Sequence, residues 1–211
     1  MHTGRLVPAF LLTVSLAGPA LAKPDAAAVK RGEYLVHTGG CNHCHTPWVF
    51  NPDLGMPVPD MSRLLSGHPA KGPDPEGKRG AHDIGLIGPT FTSFQMPFGT
   101  VYGANLTPDK DTGLGNWTEA MFLAAFRKGK HMGGDGRAIL PPMPWMDMAA
   151  MTDADLKAIF AYLQSVPAIR NSVPEHKVPV PAIDAITASF AKVQAMMKAG
   201  AGKPAAGKPG K

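Results

Sequence analysis

The stretch Cys41-Asn-His-Cys44-His45 decides how this chain is read. It is a C-x-x-C-H run, the spacing by which two thiols attach a haem covalently. Cysteines three positions apart can reach the two vinyl groups on one edge of a porphyrin. His45 then lies under the ring, where a neutral imidazole nitrogen can bind iron. Other readings of the same residues exist. A Cys41–Cys44 disulfide makes an exported redox pair, but a thioredoxin-type pair follows a strand, and here the preceding pattern is helical. A zinc or copper site could add His43, His68, His82 or His131, yet no second ligand pair stands at the usual spacing. These features favour haem. His43 occupies a variable position of the motif. It is read as solvent-facing, as are His37, His68, His82, His131 and His176.

Working outward, residues 25–38 read as a helix, capped by Asp25 and stopped by Gly39-Gly40. Gly32 inside it lowers helix propensity, which makes sense if another helix crosses closely there. Residues 46–104 show little helical period and carry nine glycines and nine prolines, so they read as a long functional loop. Within it, Thr90–Phe94 followed by Phe98–Tyr102 alternates enough for a short hairpin. Thr118 caps a second helix with Phe122 and Phe126 one turn apart, ended by Gly129. Thr152 opens a third, with Leu156, Ile159, Phe160 and Leu163 on one face and Pro167 beyond its end.

If His45 takes one side of the iron, the partner on the other side separates electron transfer from catalysis. Methionine is common in electron-transfer proteins and raises the potential. Met143 stands out among the methionines because Leu140-Pro-Pro-Met143-Pro-Trp145 holds the backbone extended and stiff. Trp145 is expected to lay a flat ring on the macrocycle. Met96, Met132, Met146, Met148 and Met151 are the other methionines considered.

The 211 residues suit one domain with appendages, and 24 glycines and 22 prolines imply much loop. Two cysteines exclude a disulfide-dense scaffold, a four-cysteine zinc site and an iron–sulfur cluster held by cysteines alone. They are the full complement for one attached haem. Residues 1–22 read as a secretory signal peptide: Arg5, an apolar run, then Ala20-Leu21-Ala22. That run is short for a membrane span. The expected location is a bacterial periplasm. The net charge of +5 is a property of the ends: residues 23–191 hold 15 Lys and Arg against 16 Asp and Glu. Nucleic-acid binding is not suggested by such a body. Residues 198–211 read as a disordered Lys/Ala/Gly/Pro tail, and any membrane contact is expected to be peripheral.

The order of helix, C-x-x-C-H, middle helix, proline-flanked methionine and final amphipathic helix resembles the class I cytochromes c. Arg31-Gly-Glu-Tyr-Leu35, Asn105-Leu-Thr-Pro-Asp109 with Thr112–Trp117, and Pro141–Trp145 with Met151–Leu156 sharpen it. They resemble the haem domains in cytochrome subunits of membrane-associated alcohol and gluconate dehydrogenases. Those subunits often carry several haems, whereas this chain has one C-x-x-C-H. The resemblance implies an all-α cytochrome c fold. Three to four helices surround one covalently attached haem c, with residues 46–104 as a Gly/Pro-rich insertion. The domain spans 23–180, with a candidate C-terminal helix over 181–197. Cys41, Cys44, His45, Met143, Trp145 and Asn105 are the expected cofactor-binding residues, His45 and Met143 the metal ligands, and Trp117 a further haem contact by analogy.

The expected function is a one-electron carrier, not an enzyme. Its partners are redox proteins, such as a membrane-associated dehydrogenase or terminal oxidase. The rivals are a haem subunit working only inside such a complex, a peroxidase-like or gas-binding protein with a displaceable sixth ligand, and a haem-free thiol–disulfide oxidoreductase.

Overall fold

The computed structural model describes residues 25–134 and 136–201. The expected signal peptide, 1–22, and the tail beyond residue 201 lie outside the described residues. In chain order the elements are helix α1 (Ala26–Thr38), helix α2 (Cys41–His45), strands β1 (Trp48–Asn51) and β2 (Met56–Pro59), and strands β3 (Leu86–Ile87), β4 (Ser93–Met96) and β5 (Gly99–Tyr102). Helices α3 (Glu119–Lys128), α4 (Trp145–Met148), α5 (Asp153–Leu163) and α6 (Val180–Ala201) follow.

Local chemistry explains the helix ends. The Asp25 carboxylate accepts from the Ala27 amide at 3.3 Å. Thr118 accepts from Met121, and Thr152 accepts from Asp155 at 3.1 Å, so orphan N–H groups at both starts are satisfied. α3 ends on Gly129 at φ 64°, the left-handed region that favours glycine. The helix over 181–197 expected from sequence begins one residue earlier and continues to Ala201. It therefore takes in residues 198–201, which the low-complexity reading had assigned to the tail.

α1 and α5 cross at Gly32. A Cβ built there would lie 1.9 Å from the Ala158 carbonyl oxygen, so only glycine lets the backbones meet. Val36 of α1 and Leu156, Ile159 and Leu163 of α5 are buried around the crossing. Phe122 of α3 joins them, its ring 5.0 Å from Phe126 and 5.2 Å from Phe160. Ion pairs Arg31–Asp155 and Lys157–Glu119 span helix pairs at the surface, where screening keeps each worth little.

The all-α expectation needs correction. Residues 46–104 form two small antiparallel sheets: the β1–β2 hairpin, pairing Trp48 with Pro59 and Asn51 with Met56, and the β3–β4–β5 meander, pairing Ser93 with Tyr102 and Met96 with Gly99. The β4–β5 part falls within the hairpin read at Thr90–Tyr102. Closely spaced glycines and prolines leave runs too short for helices. Paired strands are then the way to satisfy the backbone between turns. The segment also has its own buried polar seam. Thr46, Ser66, His68, Thr92 and Ser93 are wholly buried. Thr46 Oγ1 accepts from the Leu65 amide at 2.9 Å, and His68 Nδ1 lies 2.9 Å from Thr92 Oγ1.

Candidate cofactor cavity

Helix α2 is a little over one turn long. It starts at Gly40, whose φ of 68° lets the chain turn sharply out of α1. Positions i, i+3 and i+4 of such a turn share one face. They are Cys41, Cys44 and His45. Both thiols are free and partly buried. Burial raises the pKa of each, with smaller backbone and charge effects at Cys41. His45 is buried, and its Nδ1 lies 2.8 Å from the Ala104 carbonyl oxygen. A carbonyl only accepts, so Nδ1 is assigned the proton and Nε2 keeps its lone pair. Burial also lowers the pKa of this imidazole, outweighing the Ala104 bond, and so favours the neutral, ligating form.

Cys44 and His45 line a cavity of about 880 Å³. Its walls are mostly apolar: Val101, Leu106, Leu114, Phe122, Phe126, Leu140 and Ile183 all face it. Met143 lines the same cavity. Among the described residues it is the methionine of that wall. Met96, Met146, Met148 and Met151 pack instead on the hydrophobic cluster, and Met132 is exposed. The stiff extended segment expected around Met143 is a tight turn instead, because the Met143 amide donates to the Leu140 carbonyl at 3.2 Å. The segment between α4 and α5 is clamped from α3. Arg127 donates to the carbonyls of Ala149 and Met151 and pairs with Asp153.

Trp145 does not lie on the cavity. It opens α4, with its ring edge-on to Phe190 of α6 at 5.0 Å and packed against Gly129, where a Cβ would meet it at 2.4 Å. Trp145 lies two positions past Met143, beyond Pro144, whose non-helical backbone at φ −82° and ψ 51° redirects the chain into α4. Trp117 lines the cavity instead, edge-on to His131 at 4.8 Å. Asn105 is a wall residue, but its amide is already engaged by protein groups. Nδ2 donates to Thr112 Oγ1 and the Ile169 carbonyl, while Oδ1 accepts from the Thr107 amide and hydroxyl. It therefore fixes the 105–112 wall to the segment after α5.

The histidines divide in a way the sequence did not signal. His37, His43 and His82 are exposed, as expected. His68 is wholly buried, and His131 and His176 line the cavity. Nothing in their local sequence distinguishes them, because each is placed by chain distant in sequence. Among the described residues, no three His, Cys, Asp or Glu side chains converge where they could hold a metal ion.

The donor set fits a haem: an imidazole with a free Nε2, an adjacent cavity-lining thiol and a thioether face one largely apolar space. No protein-family model matches the chain. The chain is 30% identical over 168 residues to the cytochrome c subunit of the quinone alcohol dehydrogenase of Gluconobacter oxydans, covering 78% of the chain and 27% of that protein. It is 32% identical over 150 residues to the gluconate 2-dehydrogenase cytochrome c subunit of Pantoea cypripedii, covering 71% and 26%. The cytochrome subunit of the fructose dehydrogenase of Gluconobacter japonicus is 27% identical over 164 residues, covering 77% and 26%. The chain thus spans about a quarter of the length of these relatives. Among the described residues, no helix is long and apolar enough to cross a membrane. By sequence, the chain is a homologue of the cytochrome c subunits of alcohol and gluconate dehydrogenases, the likeness its motifs carry.

Proposed function

We propose that this chain is a haem c electron carrier of the periplasm that exchanges electrons with a membrane-associated dehydrogenase, as a free carrier or as a subunit. The observation that carries this reading is the placement of His45, Cys44 and Met143 around one apolar cavity. When bound, the haem supplies a one-electron iron couple in a low-dielectric setting. Cys41 and Cys44 would hold it covalently, the single C-x-x-C-H serving one haem. His45 would ligate through Nε2, its ring kept oriented by Ala104, which accepts from Nδ1. Met143 would ligate from the turn at 140–144. With His45 and Met143 both serving as iron ligands, no open position would be left for substrate. That separates the reading from a peroxidase-like or gas-binding protein. The names of the relatives favour the subunit form.

Expression with haem-maturation machinery, followed by denaturation, tests attachment: haem stays with the chain. Free haem, or none, overturns the reading. The ferric spectrum of Met143→Ala tests the second ligand. The methionine–iron charge-transfer band disappears, and its survival refutes Met143 as ligand.

A further inference from the structure

After α5 the chain passes along the cavity before reaching α6, and Ser172, Val173, Pro174, Glu175, His176 and Val178 all line it. This strap is pinned at both ends. At one end, Asn171 Nδ2 donates to the Ser66 and His68 carbonyls at 2.7 and 2.8 Å. At the other, Lys177 exchanges backbone hydrogen bonds with Thr100 and pairs with Asp74 at 2.5 Å. A fixed strap carries its side chains to fixed places.

His176 meets donors on both sides. Arg137 Nη1 lies 2.9 Å from its Nε2, and the Tyr102 amide donates to its Nδ1 at 3.3 Å. A guanidinium has only donors, and a neutral imidazole carries one N–H of its own. Both contacts cannot be satisfied together, so this corner has more donors than acceptors. Burial, then Arg137 and His131, push the His176 pKa down to about 4. Charge is unbalanced as well. Asp111 in the wall is paired with Arg170, and among the described residues no carboxylate comes within 4.0 Å of Arg137. His131, Arg137 and His176 share the wall, with Glu175 as the acidic residue beside them.

A large apolar cavity with one donor-rich corner suits a hydrophobic ring that bears carboxylates. We propose that Arg137, His131 and His176 form a carboxylate-binding corner that takes the acidic side chains of a tetrapyrrole, closed on one side by the strap at 171–178. This rests on the haem reading above and adds residues of the strap to it. Arg137 supplies the bidentate fork that a carboxylate matches. With an anion present, Arg137 can donate to it instead of to His176 Nε2, so a neutral His176 donates from Nε2–H to the anion and still accepts from the Tyr102 amide at Nδ1, which removes the conflict.

The test uses the full chain with its covalent haem. The haem carboxylates are titrated by NMR and by oxidised-minus-reduced infrared spectroscopy in wild type, Arg137→Gln, Arg137→Lys and His176→Gln. A neighbouring cation stabilises the ionised carboxylate. Arg137→Gln is expected to raise carboxylate proton affinity about tenfold, a shift of about one pH unit. Arg137→Lys restores part of it, and His176→Gln shifts it the same way by less. If Arg137→Gln does not fold, Arg137→Lys carries the comparison, with an intermediate shift expected. Carboxylates that titrate as in wild type in every Arg137 variant that retains haem overturn the proposal. So does a wild-type potential that moves with added inorganic phosphate and stops moving in Arg137→Gln, because the corner then takes a free anion. A wild-type chain without covalent haem instead sinks the parent reading, and this one with it.

Discussion

Replacing Gly32 by alanine sets two effects of opposite sign against each other. Helix propensity alone predicts a gain, since alanine in a helix interior is better than glycine by about 1 kcal/mol. The crossing predicts a loss. The new Cβ would sit 1.9 Å from the Ala158 carbonyl oxygen, 2.6 Å from its carbon and 2.8 Å from Tyr162 Cβ. Two of these are backbone atoms of α5, so no side chain can swing away. α1 must retreat by about 1.1 Å to reach even the 3.0 Å that real Cβ contacts respect. Val36 and Leu156, both wholly buried, then face a widened gap. A gap of 0.5–1 Å forfeits roughly a quarter to a half of each dispersion contact. Overpacking of this kind costs up to about 3 kcal/mol, which leaves a net loss of about 2 kcal/mol after the propensity gain. For a domain of this size that lowers Tm by roughly 4–8 °C. Urea unfolding of the haem-loaded protein, followed by far-ultraviolet circular dichroism, should show a lower midpoint at unchanged slope. Gly200→Ala in α6 is the control, because a Cβ there meets nothing within 4 Å. It should be neutral or stabilising. Gly32→Ala as stable as wild type would falsify the crossing argument.

The buried polar seam yields two more predictions. Asn171→Ala removes a side chain that accepts from the Ala70 amide and donates to the Ser66 and His68 carbonyls, all partly or wholly buried. It should cost about 2–4 kcal/mol, since each orphaned group keeps its desolvation penalty. Urea titration reads this directly, and a loss under about 1 kcal/mol means water replaces the amide. His68 is wholly buried, and burial lowers its pKa against the raising effects of Gly72 and Asp74, with Arg63 and Lys177 adding to the lowering. The unfolded chain therefore takes up a proton near the ordinary value of about 6.5, before the folded one does. Between the two pKa values the unfolded state binds more protons, so stability rises with pH and is lost as pH falls below about 6.5. His68→Gln should flatten that part of the stability profile, and an unchanged profile assigns the dependence to other groups.

The candidate haem-binding residues of C-x-x-C-H could be picked out because their signal is local. C-x-x-C-H places two thiols and an imidazole on one face of a turn, whatever surrounds them. Asp25, Thr118 and Thr152 announce helix starts because a cap acts on amides two or three residues away. Prolines and glycines mark 46–104 as non-helical, but they do not say which strands pair. That pairing depends on register across turns, so the two sheets were missed beyond the β4–β5 hairpin. The surroundings of Trp145 were hidden for a similar reason. Its neighbour Met143 faces the cavity, while the start of α4 turns the indole toward Gly129 and Phe190.

Order along the chain was enough to read the C-x-x-C-H motif, the sequence of helices around it and the need for a small residue at position 32. The company these residues keep was settled by folding. Ala104 orients His45 across 59 positions, and Arg137 meets His176 across 39. Pattern and propensity act over a few residues, whereas a cavity wall is assembled by segments that meet only after the chain has closed on itself. The donor-rich corner beside the apolar cavity is therefore a property of the folded chain.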